Sequence, residues 1–592
     1  MKRQFYFIAI ILFLIQSCTP AYYAIQQNSD GDYLYLDGRL SESHGIPVLS
    51  VKGEPYRVGL QYGVLLDPYL EAMNYTVDSL VEEYIGSSAL KKGIAKIVLK
   101  KRIKAIEDKM AERYLEELQG IADGSILSTF EVKRLAYFPQ LFFKISCTSF
   151  VMKDNDQLVH GRNLDWSGID AKTSFPLIVN YEIDGYYPFT NLTFIGYPGV
   201  YTGMNMEGLS LSINMNSSPP EKEKKVEEYH TGMPLAFKVR SMLEECSSLE
   251  ETTASLKDYS THAWFITAGS RADLSGNVYE LTRGEMMVTK MNNDFLFVEN
   301  LSLTEKGRYE YSPVSQSNIF NIARIDKVEE LYSAIRKDDL IEKSYNMLSN
   351  STYYENAHAP FFAGSVNNRL TVKSCIMDNL THTIYFSYGP GLAANRRYYR
   401  YKPGNKSLSI FKAPLQSREF MTFKNMKKFG KWIHNSLDDS PDKMDYQRII
   451  RAVSSAELPG AYKSYLMATY YDKLKDKDGV FGSLKDYLSA AENYPEAYVF
   501  AADMYHKYKD YEEAVNVLNQ LLLMRRITPW DEYRAYRELT KNYLSFEDQS
   551  TAREAANKYY QKFLELSGNY FIDEQVEKEI EELKKLMEKN ND

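Results

Sequence analysis

The sequence lacks the short motifs that mark nucleotide-binding proteins and zinc enzymes. It contains no Walker loop, no glycine motif G-x-G-x-x-G and no H-E-x-x-H. The 8 histidines are scattered along the chain, which gives little support to a metal site. A formal net charge of −8 and a pI near 5.7 argue against a protein that binds nucleic acid. No cofactor is therefore predicted, and the chemistry must come from the side chains themselves.

The first residues also lack an apolar run long enough to span a bilayer. A basic start is followed by a short apolar run, Phe5 to Ile15, and then by the letters IQSC at 15–18, which resemble the cleavage box of bacterial lipoproteins. We expect residues 1–17 to be removed as a signal peptide and the thiol of Cys18 to carry lipid. The protein would then be anchored to a membrane of the bacterial cell envelope, on its periplasmic or surface side. The alternative is an ordinary secretory signal with an incidental cysteine.

Cysteine is scarce, with 4 residues in the whole chain. Cys246 lies in a stretch predicted to be helical and Cys375 in one predicted to be a strand, so both are interpreted as buried thiols. A disulfide between them stays an alternative, because an exported protein meets an oxidising compartment. Cys147 must stay free if it acts as a nucleophile.

The most informative stretch of the sequence is CTSFVMKDNDQLVHGRNLDW at 147–166. Strands predicted over 148–153 and 158–163, joined by a polar turn, form a β-hairpin. The hairpin can bring Arg162 and Asp165 beside the sulfur of Cys147. A thiol, a guanidinium and a carboxylate at the start of a strand make a plausible nucleophile site. The alternative is that the cysteine is only a small buried hydrophobe.

This hairpin resembles a known catalytic segment. Its C-T-S followed by H-G-R-N-L-D-W is similar to the start of the catalytic chain in the acid ceramidase and N-acylethanolamine acid amidase group. That group belongs to the N-terminal-nucleophile amidases, with bile salt hydrolases and penicillin acyltransferases as more distant relatives. The resemblance implies that the Ser146–Cys147 bond is cut, which exposes Cys147 as the N-terminal residue. It also implies an α+β fold, an αββα sandwich of two antiparallel sheets between helical layers.

Three further segments resemble the same family. They are TFIGYPGVYTG at 193–203, GLSLSIN at 208–214 and NRLTVKSCIMD at 368–378. Strand alternation makes Asn214, at the end of the second segment, an inward-facing residue. The resemblance implies that its side chain helps to form the oxyanion hole.

Two more site residues are carried over from the family. The segment FLFVEN at 295–300 corresponds to a strand that ends in a catalytic asparagine, here Asn300. The family usually has threonine where this chain has Glu299. Arg324, within the letters NIARIDK, is the candidate for a second family arginine, although its surroundings match the family poorly.

These residues have chemically distinct expected roles. A free N-terminal cysteine carries both nucleophile and base, because its α-amino pKa of about 7.7–8.0 lies near working pH. Arg162 is expected to favour the thiolate, and Asp165 to hold the α-amine. Asn214 and Asn300 are expected to donate to the oxyanion. The ordinary alternatives are a strand-edge salt bridge for Arg162, a turn cap for Asp165 and structural roles for the amides.

The chain is expected to divide into six parts. In chain order these are a signal peptide at 1–17, a tether at 18–44, the small-chain part of the hydrolase domain at 45–146, its catalytic part at 147–405, a linker at 406–445 and a helical domain at 446–592. In the last part, Ala-Tyr pairs at 461, 497 and 535 are each expected to open a helix. This spacing is typical of tetratricopeptide-like helix pairs, with an irregular bundle as the alternative.

Three functions fit the sequence. The first is an amidase that hydrolyses linear C–N bonds of N-acyl substrates, such as acylated lipids or amino acids, through a thioester. The second is an acyltransferase that passes the same acyl group to an amine instead of water. The third is a lipoprotein scaffold that binds a protein partner through its helical domain. The intact set of Cys147, Arg162 and Asp165 counts against an inert scaffold.

Overall fold

The structure is a computed structural model. The residues that it describes are 24–85, 89–142, 145–154, 157–166, 175–216, 229–303, 316–334, 339–351, 365–368, 370–389, 392–414, 446–456, 458, 460–492, 495–524, 527, 529–546, 549–569 and 574–589. The predicted signal peptide and its lipidation site, Cys18, lie outside these residues.

Strands occur from the start of the described chain to residue 412. They are β1 Gln26–Gln27, β2 Tyr33–Tyr35, β3 Gly38–Ser43, β4 Ile46–Gly53, β5 Ile145–Lys153, β6 Leu158–Trp166, β7 Pro176–Ile183, β8 Phe189–Phe194, β9 Thr202–Asn205, β10 Leu209–Met215, β11 Trp264–Ser270, β12 Ser275–Thr282, β13 Glu285–Lys290, β14 Phe295–Val298, β15 Thr371–Asp378, β16 Thr383–Tyr388, β17 Tyr398–Lys402 and β18 Ser407–Lys412.

Helices occur between the strands and are the only regular elements in the described chain after residue 445. They are α1 Pro55–Ile85, α2 Ala89–Glu107, α3 Glu112–Asp123, α4 Thr129–Phe142, α5 Leu235–Glu245, α6 Leu249–Leu256, α7 Gln316–Ala334, α8 Leu340–Leu348, α9 Tyr446–Ser455, α10 Gly460–Lys473, α11 Lys477–Ala490, α12 Pro495–Lys507, α13 Tyr511–Leu522, α14 Pro529–Leu544, α15 Gln549–Asn569 and α16 Glu574–Lys589. Over the described ranges, none of them combines the length and the hydropathy that a membrane span requires.

The chain divides into two compact units that are discontinuous in sequence. The first comprises 1–143, 172–211 and 231–247, and the second comprises 144–171, 212–230 and 248–592. This division differs from the consecutive parts expected from the sequence, because distant segments pair as strands.

The first unit combines strands with helices. Strand β4 pairs antiparallel with β3 and parallel with β7, and β8 and β9 continue the order antiparallel. Helices α1 and α3 approach closely through glycines: a Cβ at Gly59 would lie 2.0 Å from the carbonyl oxygen of Glu117. The phenolic oxygen of Tyr62 on α1 accepts a hydrogen bond from the backbone of Gly196, after β8. Helices therefore cover strands within this unit.

A buried ion cluster in the first unit holds the family-like segment 193–203. Arg240 on α5 is fully buried and forms ion pairs with Glu117 and Glu244 at 2.5 and 2.9 Å. The same guanidinium donates to the carbonyl of Pro198 at 3.2 Å and lies 4.3 Å from the ring centroid of Tyr181. Charges this deeply buried are tolerated only when they are paired.

The second unit contains a sheet in the order β14-β5-β6-β15-β16-β17-β18. One face of this sheet packs against helices α7 and α8 through a core that includes Phe150, Met152 and Leu340. Another sheet includes the antiparallel strands β11, β12 and β13 of this unit, and its Phe265 and Val278 pack with Leu296 and Val298 of β14. The first unit therefore has layers of helix and sheet, and the second has layers of sheet, sheet and helix. The predicted α+β class is confirmed.

The described elements after residue 445 are all helices, as the sequence predicted. Asp510 caps α13 by accepting from the backbone of Glu513. Two of the three Ala-Tyr pairs lie near the start of a helix, at Ala461 and Ala497. The prediction was wrong for the third pair, because α14 begins earlier, at Pro529. Proline favours the first turn of a helix, and the acidic residues that follow it stabilise that end.

Two predicted boundaries also differ from the structure. Residues 26–43, expected to be tether, form β1 to β3, and β3 pairs with β4 over five residue pairs. Residues 407–412, expected to be linker, form β18, which pairs with β17. The first segment is rich in polar residues, and in both segments the strand conformation depends on a partner strand that their own sequence does not reveal.

Candidate active site

The Ser146–Cys147 peptide bond lies inside β5. The sequence predicted a strand from residue 148, but β5 begins at Ile145. Its register with β6 places Cys147 opposite Leu164. The bond is therefore part of a paired strand, because pairing with β6 continues beyond the cysteine in both directions.

The side chain of Cys147 is fully buried and contacts the predicted arginine. Arg162 Nη2 donates to Cys147 Sγ at 3.1 Å and to the carbonyl oxygen of Ile213 at 2.7 Å. The thiol also points at that carbonyl, with a sulfur–oxygen distance of 3.6 Å. The hairpin register explains the contact, since Ser149 lies opposite Arg162 and alternation turns Cys147 and Ser149 to the same face.

Burial dominates the electrostatics of this thiol. It raises the pKa of Cys147 above its usual range, and the adjacent Arg162 guanidinium only partly offsets this effect. The arginine acts in the predicted direction, towards the thiolate, but the uncut chain keeps the thiol protonated at neutral pH.

The backbone amide of Cys147 donates to Asn300 Oδ1 at 3.2 Å. Strand β14 pairs with β5 no further than Val298 opposite Ser149. The side chain of Asn300, two residues after the last pair, therefore takes up the amide beyond the end of β14. The amide nitrogen of Asn300 donates to the carbonyl of Met215 at 2.6 Å.

Asp165 lies at the centre of a buried hydrogen-bond cluster. Its Oδ1 accepts from the hydroxyl of Thr371 at 2.6 Å, and its Oδ2 accepts from Asn368 Nδ2 at 2.9 Å and from Arg324 Nη1 at 3.0 Å. Burial raises the pKa of Asp165 against the lowering effect of Arg324 and the two hydrogen-bond donors. The sequence predicted that Asp165 holds the α-amine of Cys147 after cleavage. In the uncut chain it is Asn300 that contacts this nitrogen.

Arg324 on α7 joins Asp165 to Asn300. Its Nη2 donates to Asn300 Oδ1 at 2.7 Å, and its Nε lies 3.0 Å from Glu299 Oε2. The arginine is 1% exposed, so these are contacts within the interior. Arg324, which was predicted from the family resemblance, thus contacts two other predicted site residues, Asp165 and Asn300.

Asn214 lies on β10, within the same unit. Its Oδ1 accepts from Ser149 Oγ at 2.6 Å, and its amide nitrogen donates to the carbonyls of Val298 and Glu299 at 3.2 and 3.4 Å. The side chain thus links β5, β10 and the end of β14. Both predicted oxyanion donors direct their amide nitrogens at backbone carbonyls in this structure, and that role stays a prediction.

Sequence reasoning missed several buried polar residues around this group. Asn368 and Thr371 belong to a segment that was noticed only as a family-like strand, and their contact with Asp165 depends on the pairing of β15 with β6. The sequence marked Glu299 as a difference from the family, which usually has threonine there, and did not predict it as a site residue. Burial raises its pKa to about 7, against the lowering effects of Arg324 and Thr148.

Lys373 of β15 is another residue that the sequence did not predict for the site, and its environment is unusual. The register places it opposite Leu164, which itself lies opposite Cys147. The side chain is 1% exposed, and burial lowers the pKa of Lys373 to about 7, with Arg162 acting in the same direction. Burial raises the pKa of Cys375, two residues further along β15, to about 11. Over the described ranges, no group of histidine, cysteine and carboxylate residues is arranged to hold a metal ion.

Parts of the chain are similar in sequence to proteins of known families. Residues 151–357 match the family model described as acyl-coenzyme A:6-aminopenicillanic acid acyl-transferase. Among curated proteins, an N-acylethanolamine-hydrolyzing acid amidase of Caenorhabditis elegans is 30% identical over 146 residues, which are 23% of this chain and 41% of that protein. The corresponding amidase of Cavia porcellus is 29% identical over 163 residues, 27% of this chain and 45% of that protein. The chain thus spans less than half the length of these relatives.

Solved structures include two similar proteins. The Caenorhabditis elegans ortholog of N-acylethanolamine-hydrolyzing acid amidase has a TM-score of 0.29 and 22% identity, and the match covers 39% of this chain and 93% of that one. A variant of the conjugated bile acid hydrolase from Clostridium perfringens has a TM-score of 0.29 and 16% identity, with 45% of this chain and 96% of that one covered.

Proposed function

We propose that this chain, which belongs to the superfamily of N-terminal-nucleophile amidases, hydrolyses linear amide bonds of N-acyl substrates with Cys147 as its nucleophile. One observation carries the proposal: Cys147 Sγ lies 3.1 Å from Arg162 Nη2 while the backbone nitrogen of the same residue contacts Asn300 Oδ1 at 3.2 Å. Both reactive atoms of an N-terminal cysteine are thus already held by site residues. The curated relatives named above, which are described as N-acylethanolamine-hydrolyzing acid amidases, further support this reaction class.

The first step of the proposed reaction is cleavage of the chain itself. The thiol of Cys147 loses its proton and the sulfur attacks the carbonyl carbon of Ser146. The C–N bond between the two residues breaks, the nitrogen takes a proton, and a thioester remains. Water then hydrolyses the thioester, leaving a carboxylate on Ser146 and a free α-amine on Cys147.

The second stage is turnover of a substrate amide. The free α-amine of Cys147 accepts the thiol proton, and the sulfur attacks the carbonyl carbon of the substrate. The substrate nitrogen takes the proton as the C–N bond breaks, and the amine leaves. Water attacks the resulting thioester and releases the carboxylic acid. Arg162 stabilises the sulfur anion, and the α-amine stays near Asn300 Oδ1.

A second candidate reaction is transfer of the acyl group to an amine. The observation that favours it is the matched family model, which is named for an acyltransferase and covers residues 151–357. The two reactions share the thioester and differ only in whether water or an amine attacks it.

We further propose that the enzyme works at the bacterial cell envelope, anchored by lipid on Cys18. The support is the lipoprotein-like box at 15–18. A protein partner for the all-helical residues after 445 is proposed on their repeat-like spacing alone.

The test uses the purified chain and a panel of N-acyl amides with different acyl chains and amine groups. Released acid and any transacylated product are identified by mass spectrometry, with and without an added amine. Cys147→Ala is expected to abolish both chain cleavage and amide hydrolysis, because alanine cannot form a thioester. Cys246→Ala is the matched control, since Cys246 is also a buried cysteine outside a disulfide. Hydrolysis retained by purified Cys147→Ala would falsify the proposal.

A further inference from the structure

A buried glutamate adjoins the candidate site at a position where the family usually has threonine. Glu299 is 1% exposed and follows directly after β14. Its Oε2 lies 3.0 Å from Arg324 Nε, and the nearby carboxylate of Asp165 is held by the same guanidinium. Glu299 and Arg324 form an ion pair without an aligned hydrogen bond, because the Nε–H bond of Arg324 is not directed at the carboxylate.

The arginine distributes its three nitrogens over three acceptors. Nε faces Glu299, Nη1 donates to Asp165 at 3.0 Å, and Nη2 donates to Asn300 Oδ1 at 2.7 Å. Asn300 Oδ1 also accepts from the nitrogen of Cys147. The charges of Glu299 at Nε and of Asp165 at Nη1 thus lie on different edges of the guanidinium, whose third nitrogen meets the asparagine. Loss of the Glu299 charge removes the charge contact at Nε and loosens the orientation of Nη2 towards Asn300.

We propose that ionised Glu299 is a positioning residue for the candidate site: through Arg324 it fixes the side chain of Asn300 against the nitrogen of Cys147. This inference rests on the proposed function and adds a residue to it. It also distinguishes this chain from relatives with threonine at the position, because threonine cannot form the ion pair.

The inference predicts a pH dependence centred near neutrality. Burial raises the pKa of Glu299 to about 7, Arg324 and Thr148 lower it, and Asp165 raises it further. Among the described residues, these are the groups that act on the carboxylate: Arg324 from α7, Asp165 from β6 and Thr148 from β5. Below its pKa the carboxylate takes a proton, the ion pair with Arg324 is lost, and activity falls as the pH is lowered. Above it the positioning is complete.

The experiment compares Glu299→Gln, Glu299→Asp and Glu299→Thr with the unchanged protein. The control is Glu330→Gln, which removes a half-exposed carboxylate from the same helix as Arg324. Each protein is assayed from pH 5 to 9 for hydrolysis of a fluorogenic N-acyl aminocoumarin amide. Chain cleavage at Cys147 is scored by N-terminal sequencing, and the rate of alkylation of Cys147 by iodoacetamide is read by mass spectrometry. Circular dichroism establishes that each variant is folded.

Glu299→Gln is expected to lower kcat/KM about 10- to 100-fold at pH 8, as for other residues that orient a reacting group. The pH profile of Glu299→Gln should also lose its inflection near pH 7. Glu299→Asp should restore part of kcat/KM and part of the inflection, and Glu330→Gln should change neither kcat/KM nor the inflection. A folded Glu299→Gln protein with the original pH profile overturns the inference. If the unchanged protein neither cleaves itself nor hydrolyses the probe, while alkylation of Cys147 still follows the state of residue 299, the proposed function fails and the positioning stands.

Discussion

The nitrogen of Cys147 and the side chain of Asn300, 153 residues apart in sequence, meet through a hydrogen bond of 3.2 Å. The bond forms where β14 stops pairing with β5, so that a side-chain oxygen replaces the missing backbone acceptor. After cleavage of the chain this nitrogen becomes an amine, and the same oxygen can orient it. Asn300 is therefore in a position to act both before and after cleavage.

Replacing Asn300 by alanine is expected to slow both chain cleavage and substrate turnover. The substitution removes the acceptor for the nitrogen of Cys147 and a donor that the sequence assigns to the oxyanion. Loss of one oxyanion donor costs about 10²–10³ in kcat in other enzymes. The measurement is kcat and KM together with the extent of cleavage over time. A fall in kcat with unchanged KM indicates a role in the reacting state, whereas normal kinetics in both stages contradict any role for this residue.

Arg162→Lys is expected to impair activity strongly although the positive charge is kept. One nitrogen, Nη2, donates both to Cys147 Sγ and to the carbonyl of Ile213. An ammonium on a flexible stem does not reproduce the planar set of donors. Arg39→Lys is a suitable control, because Arg39 is an exposed arginine in an ion pair with Asp32. Near-normal kcat/KM in Arg162→Lys shows that charge alone suffices.

How far the sequence predicts this site depends on how local each contact is. The contact of Cys147 with Arg162 is set by a hairpin whose turn and alternation are visible in the sequence. The contacts of Asp165 with Asn368 and Thr371 arise from the pairing of β6 with a strand about 200 residues later, which no local pattern reveals. Sequence reasoning therefore did not predict these two contacts, and the role of Asp165 at the α-amine of the cleaved chain stays a prediction.

For the fold as well, elements with a local sequence signal were predicted, and elements that depend on a distant partner were not. The two strands of the hairpin at 147–166 were predicted from their own alternation and polar turn, and both are present as β5 and β6. The strands at 26–43 were assigned to a tether, because they take strand conformation by pairing with neighbouring strands and not through their own composition. The helix starts near Ala461 and Ala497 were predicted, and the start of α14 was missed because Pro529 begins that helix earlier.

Lys373→Met is expected to stabilise the protein, most strongly at low pH. Burial lowers the pKa of Lys373 to about 7, so the unfolded chain binds more protons between pH 7 and the ordinary lysine value near 10.5. The stability of the unchanged protein therefore rises with pH through this window. Below pH 7 the cost of burying the charge is at its full value, and methionine removes it. Replacing buried charged groups by apolar ones has stabilised other proteins by about 1–4 kcal/mol.

Urea unfolding at pH 6 and pH 10 measures this difference. The methionine variant should exceed the unchanged protein in free energy of unfolding at pH 6, and the excess should shrink by pH 10. Lys412→Met is a control, because Lys412 lies in a half-exposed ion pair on β18. An excess that grows with pH, or a methionine variant that is less stable at pH 6, is incompatible with a buried lysine of lowered pKa.

Thr371→Val should shift the acid side of the pH–activity profile upwards. The hydroxyl of Thr371 donates to Asp165 Oδ1 at 2.6 Å and is one of the groups that lower the pKa of that carboxyl. Valine keeps the shape of the side chain and removes the donor, so the pKa of Asp165 rises further. Because ionised Asp165 holds Arg324, activity is then lost at a higher pH as the medium is acidified. A hydrogen bond to a charged group contributes about 1.5–3 kcal/mol, so its loss should move the acid inflection measurably to higher pH.

The measurement is kcat/KM between pH 4 and 8 for Thr371→Val and Thr371→Ser. Serine keeps a hydroxyl and should leave the acid inflection near its original pH, which separates loss of the donor from loss of packing. Activity at the alkaline end of this range should differ far less between the two proteins than activity at the acid end. If valine lowers activity by the same factor at every pH, Thr371 only supports the local structure and does not tune Asp165.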